Sequence, residues 1–167
     1  IPRELWVDSK AGNDANKGSS KDPVRGLGRA IALANSANPA VPVHIKLRPG
    51  VYPVAPATTI TRDHVQIEGL SRPILGGTGY LEGFANDVII MPAGFGCHYP
   101  CLINPLIMVH ASDIQFTGLR FINPHRMDSD YFESAGSDYM LMVMFEGQYD
   151  MAAPRLFTQN AVRYCEF

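Results

Sequence analysis

An aspartate or asparagine recurs just ahead of a short apolar run at Asp63, Asp87, Asp113, Asp138 and Asn160, at intervals of 24, 26, 25 and 22 residues. The runs are His64-Val65-Gln66-Ile67, Val88-Ile89-Ile90, Ile114-Gln115-Phe116, Tyr139-Met140-Leu141 and Val162-Arg163-Tyr164. One spacing upstream of Asp63, Val43, Ile45 and Leu47 alternate with His44 and Lys46, which makes six rungs. Period-two alternation marks half-buried strands, and strands this short are not stable alone. A period of 20–30 residues built from strands predicts stacked coils about 4.8 Å apart. Leucine-rich repeats share the period but need leucine and asparagine at fixed places, which this chain lacks. The expected fold is an all-β solenoid of about five to six coils. Val43, Ile45, Val65, Ile67, Ile114, Phe116, Val162 and Tyr164 would share one interior column. The Asp and Asn markers fit corners where a side chain bonds its own backbone.

Composition limits what such a stack can be. Apolar residues are 46% and charged residues 18% of 167, which excludes disorder and supports a single domain with its own core. Sixteen acidic residues stand against 14 basic ones with no basic cluster, so a phosphate-tracking nucleic-acid site is excluded. Apolar runs such as 140–145 fall far short of the roughly 20 residues a membrane span needs. Three cysteines are too few for a disulfide scaffold. Cys97 and Cys101, around His98-Tyr99-Pro100, lack the second ligand pair of a zinc site and read as free thiols in a packed loop. No metal or cofactor is expected. Calcium, the ion that one carboxylate per coil would hold, ranks below the reading of those carboxylates as turn residues.

One segment has helical period. Leu27, Ala30, Ile31 and Ala34 fall on one face, with Asp22 placed to cap and Pro23 at the first helical position. Residues 1–38 thus read as a strand, a loop and a helix laid over the open end of the first coil, and residues 39–167 as the coils.

The order of these segments carries a resemblance. Leu5-Trp6-Val7-Asp8 precedes Gly12-Asn13-Asp14-Ala15-Asn16-Lys17-Gly18, then Asp22-Pro23, the Ala30-Ile31-Ala32 helix, and His44-Ile45-Lys46-Leu47-Arg48-Pro49-Gly50-Val51-Tyr52. This resembles the N-terminal cap and first coils of the pectate-lyase-like right-handed parallel β-helix superfamily. The resemblance implies the handedness and several activity classes: lyases, glycoside hydrolases, epimerases, autotransporter passengers, phage tailspikes and virion decoration proteins. The Asp-Asp and Gly-His-Gly elements of the pectinase-like hydrolases are absent, so no catalytic residue carries over.

Three loops hold the remaining site candidates. In the loop from Asn123, His125, Arg126, Asp128, Asp130 and Glu133 are the residue types of a carbohydrate or ion site. In Gly76 to Asn86, Tyr80 and Phe84 could form a stacking platform, and Phe95 and Tyr99 lie in Pro92 to Pro105. These four aromatics suit contact with another protein subunit. The chain reaches Phe167 on a fresh rung, so either further coils or a partner is expected to cover it.

The function expected from these features is a non-catalytic structural or attachment module. Its place would be a phage virion, as capsid decoration, head fibre or tailspike part, bound to other subunits as a homo-oligomer or to a capsid or tail protein. The alternative is the N-terminal part of a secreted, extracellular lyase or glycoside hydrolase acting on acidic polysaccharide.

Overall fold

The computed structural model describes residues 1–71, 87–93, 105–122, 143–145 and 157–165. Eleven strands and one helix follow in order: β1 (Arg3–Val7), α1 (Leu27–Asn35), β2 (Val43–Leu47), β3 (Gly50–Val54), β4 (Thr58–Ile60), β5 (Val65–Gly69), β6 (Val88–Pro92), β7 (Ile107–Val109), β8 (Ile114–Thr117), β9 (Arg120–Phe121), β10 (Val143–Phe145) and β11 (Ala161–Arg163). They form three parallel sheets: a long one ordered β1-β2-β5-β8-β11, and two of three strands, β3-β6-β9 and β10-β7-β4. Three strands, one per sheet, complete a coil. The architecture is a right-handed parallel β-helix.

The coil length departs from the sequence period. Val43 pairs with Val65, 22 residues on, but Val65 pairs with Ile114. The run at Val88 is not a rung of the long sheet; it pairs with Gly50 on the second sheet. After the first compact coil, the recurrence near 25 residues is therefore half a coil. Three full coils stand among the described residues, and with β1 and β11 the long sheet has five rungs at unequal sequence spacing. The run at Tyr139 lies outside the described residues.

Inward positions stack in register. Val43, Val65 and Ile114 form one row; Leu5, Ile45, Ile67 and Phe116 form the next, all at most 1% exposed. Phe116 meets Phe121 and Phe145 edge-on, with ring centroids 6.4 and 6.2 Å apart. Val162 continues the second row half-buried. Tyr164 does not follow it. Its φ of 53° ends the strand, and the side chain is 59% exposed, which corrects its placement in the column.

The helix buries Leu27, Ala30, Ile31 and Ala34, the face read from their spacing, while Leu33 is only half-buried. Its start is corrected. Gly26, not Asp22, is the N-cap, and Val24 ahead of it forms a parallel bridge to Val7. Asp14 instead reaches across the loop, its Oδ1 accepting from the Arg25 and Gly26 N–H groups at 2.8 Å. Val24 is occupied elsewhere: it donates to Trp6 O and accepts from Asp8 N, while Gly18 O accepts from Trp6 N. The outer edge of β1 is thereby covered by backbone. Gly12 is required there, because a Cβ would strike the Val24 carbonyl.

At its other end the helix is tied down by Arg62, which is 6% exposed. Its guanidinium donates to the carbonyls of Ala34, Pro39, Val41 and Asp63. Asn35 also donates to Thr59 O and accepts from Thr61 N, joining the helix to β4. No helix among the described residues is long and apolar enough to cross a membrane.

Candidate functional site

Alternation that sends one half of each long-sheet strand inward presents the other half on an outer face. There the register lines up Glu4, His44, Gln66 and Gln115 in one row and Trp6, Lys46, Glu68 and Thr117 in the next. One residue ahead of the paired strands stand Pro42, His64 and Asp113. A shallow depression of about 140 Å³ lies at this corner, lined by Pro2, Pro42, His44, His64, Gln66, Asp113 and Gln115 among others.

Ions on this face are paired across rungs. Lys46 Nζ meets Glu4 Oε1, and Arg48 meets Asp8 Oδ2 at 3.0 Å. His44 Nε2 lies 2.7 Å from Glu68 Oε2, an ion-pair distance without hydrogen-bond alignment. His64 Nδ1 lies 2.8 Å from Asp113 Oδ2, and Gln115 Nε2 donates to Asp113 Oδ1 at 3.3 Å. Lys46 and Arg48 stand 5.2 and 5.6 Å from the Trp6 ring centroid, within cation–π range.

The turn into this sheet is strained. His64, Asp113 and Gln159 have φ of 60°, 56° and 63°. For residues with a Cβ this costs on the order of 1 kcal/mol or more each. The register sets His64 opposite Asp113, and Gln159 opposite Asp113 on the other side.

The marker side chains do not act as the sequence suggests. They reach across coils: Asp63 Oδ1 accepts from Ser112 N, and Asn160 Oδ1 accepts from Ile114 N while its Nδ2 donates to Ala111 O. Asp87 belongs to the second sheet, where it pairs with Arg120, so Asp87 and Asp113 do not form a carboxylate row. No group of three or more His, Cys, Asp or Glu placed to hold a metal occurs among the described residues.

The loop candidates His125, Arg126, Asp128, Asp130 and Glu133, and the aromatics Tyr80, Phe84, Phe95 and Tyr99, lie outside the described residues, as do Cys97, Cys101 and Asp138. Cys165 is a free thiol packed against the core. The outer-face residues His44, His64, Gln66 and Gln115 were not singled out from sequence as a site. Their signal was the polar half of the strand alternation.

No family model and no curated protein matches this chain. Among solved structures, pectin methylesterase PemA from Erwinia chrysanthemi is similar at a TM-score of 0.54 and 20% identity. The likeness covers 87% of this chain and 39% of that one. A pectin methylesterase variant in complex with a hexasaccharide is similar at a TM-score of 0.51, with the same identity and coverage. The fold is that of the pectate-lyase-like parallel β-helix. The chain spans about two fifths of the length of these β-helical structures.

Proposed function

We propose that the outer face of the long sheet is a polysaccharide-binding surface, and that the chain is a β-helical portion of a carbohydrate-engaging protein. The carrying observation is the pair of in-register polar rows, Glu4-His44-Gln66-Gln115 and Trp6-Lys46-Glu68-Thr117, opening into a depression at one side. Parallel rungs repeat about every 4.8 Å, so donors and acceptors recur at a fixed step. A polymer whose hydroxyls also recur is the ligand class such a ladder matches. The β-helical neighbours support this reading, since both are named for pectin and one holds a hexasaccharide.

An attachment role on a virion would work through the three aromatic and charged loops, which fall almost wholly outside the described residues. The polar face favours the polysaccharide reading.

Trp6 is the single tryptophan and sits on the face itself, so binding has a built-in reporter. Titration with a panel of neutral and acidic oligosaccharides should shift its emission saturably. Replacing Gln66 and Gln115 together with Ala should weaken binding about tenfold, from two lost hydrogen bonds. No emission change and no calorimetric heat with any of the panel would reject the proposal.

A further inference from the structure

Glycine is the default where a turn must be left-handed. The turn into the long sheet instead carries His64 and Asp113, both at positive φ and opposite one another in register. Their side chains meet, Nδ1 to Oδ2 at 2.8 Å, and Gln115 holds the other carboxylate oxygen. His64, Asp113, Gln66 and Gln115 all line the same depression. A histidine oriented by a carboxylate, beside two amides on a concave rim, is the set of parts for moving a proton at a polar bond.

We propose that His64 and Asp113 form a proton-transfer pair that hydrolyses acyl esters carried on the hydroxyls of an uncharged saccharide, the acetyl ester being the small case. This rests on the polysaccharide reading of the same face. An ionised carboxylate only accepts, so Nδ1 carries the proton toward Asp113 and Nε2 is the base. Nε2 takes a proton from water as the water oxygen bonds to the ester carbonyl carbon. The bond from that carbon to the sugar oxygen then breaks, and the proton passes from Nε2 to the leaving sugar oxygen. One carboxylic acid and one free sugar hydroxyl result, with no change of oxidation state. Gln66 and Gln115 bring amide N–H donors to the rim where the carbonyl oxygen gains charge.

Other chemistries fit the described residues less well. Glycosidic cleavage needs two carboxyl groups facing each other across the bond. The depression offers Asp113, already bonded to His64. Elimination from a uronate needs a cation against the sugar carboxylate, while Lys46 and Arg48 are engaged by Glu4 and Asp8. Glu4, Asp8, Glu68 and Asp113 stand on this face against Lys46, Arg48 and Arg163, a balance that does not favour an anionic chain.

The test incubates the full chain with an O-acetylated neutral oligosaccharide and follows acetate release, with calorimetry of the deacetylated oligosaccharide in parallel. Wild type should exceed the buffer rate by at least about 1,000-fold. His64→Gln should lower kcat by at least about 100-fold with binding unchanged. Asp113→Asn should lower kcat and move the pH profile, because the amide favours the wrong tautomer. Circular dichroism confirms that each variant is folded, and the second variant serves if the first is not. Binding without acetate release by wild type overturns the dyad and leaves the binding surface standing. Absence of binding overturns the polysaccharide reading itself. Acetate release that survives His64→Gln overturns the choice of base. Methanol release from a methyl-esterified polyuronate, with no acetate release, overturns the choice of ester.

Discussion

Arg120 reaches back one rung to Asp87, its Nε 3.0 Å from Oδ2, with the side chains only 14% and 8% exposed. The pair joins β9 to the turn that opens β6, and the Asp87 carbonyl also accepts from Gly50 N, so three coils meet at this aspartate. Removing one partner of a buried pair leaves a charge in a poor solvent. Asp87→Ala should therefore lower the urea midpoint measurably. Asp87→Leu combined with Arg120→Met should cost clearly less. If the double variant were as unstable as the single, uncompensated charge would not be the cause.

Phe116 and Tyr164 separate the column from its margin. Phe116 is fully buried and contacts two further rings, so Phe116→Ala should cost about 3–5 kcal/mol. Tyr164→Ala should cost clearly less, since its side chain is 59% exposed and outside the column. Denaturant midpoints of the two variants decide this, and similar losses would contradict the placement of Tyr164.

Asp8 sets an acid limit on the N-terminal cap. Burial pushes its carboxyl up, but the Ala11 and Lys10 N–H groups and the Arg48 guanidinium outweigh this and leave it below the usual carboxylate range. With the folded value depressed, the charged form stabilises the fold above the unfolded value of about 3.9. That contribution is lost as pH falls through the folded value. Asp8→Asn should therefore lose about 2 kcal/mol near neutral pH and converge with wild type in acid. A gap that persisted unchanged to about pH 2 would assign the loss to packing rather than charge.

Arg62 holds the helix end and the connection to β2 through the Ala34, Pro39 and Val41 carbonyls. Arg62→Met keeps the apolar stem and removes the donors that tie these carbonyls together. Amide exchange in residues 27–43 should accelerate at least tenfold, with the long-sheet strands β5 and β8 changed much less. Equal acceleration everywhere would show that the cap and the coils unfold as one unit.

The fold was legible because its signals are local. Val43, Ile45, Val65 and Ile67 alternate in sequence and stack in space, and the Leu27-Ala30-Ile31-Ala34 face needs only helical period. The coil length was less legible, because Asp87 and Asp113 look alike in sequence although they open strands of different sheets. Their difference lies in the lengths of the connections, which no periodicity encodes. The helix start was misread for a related reason: Asp22-Pro23 has the local chemistry of a cap, but pairing of Val24 with β1 takes precedence. His64 and Asp113 stand 49 residues apart. Only the register, itself a product of the inserted loops, brings them to 2.8 Å.

The covered edge of β1 gives the solenoid a direction. An exposed terminal strand invites another copy to add itself in line, and serial addition produces fibres. Here the Trp6 N–H and C=O and the Asp8 N–H, groups that an incoming strand would need on the β1 side, are already bonded to Gly18 and Val24. A strand arriving on that side meets an edge already occupied from Trp6 to Asp8, so serial addition through that stretch of β1 is blocked.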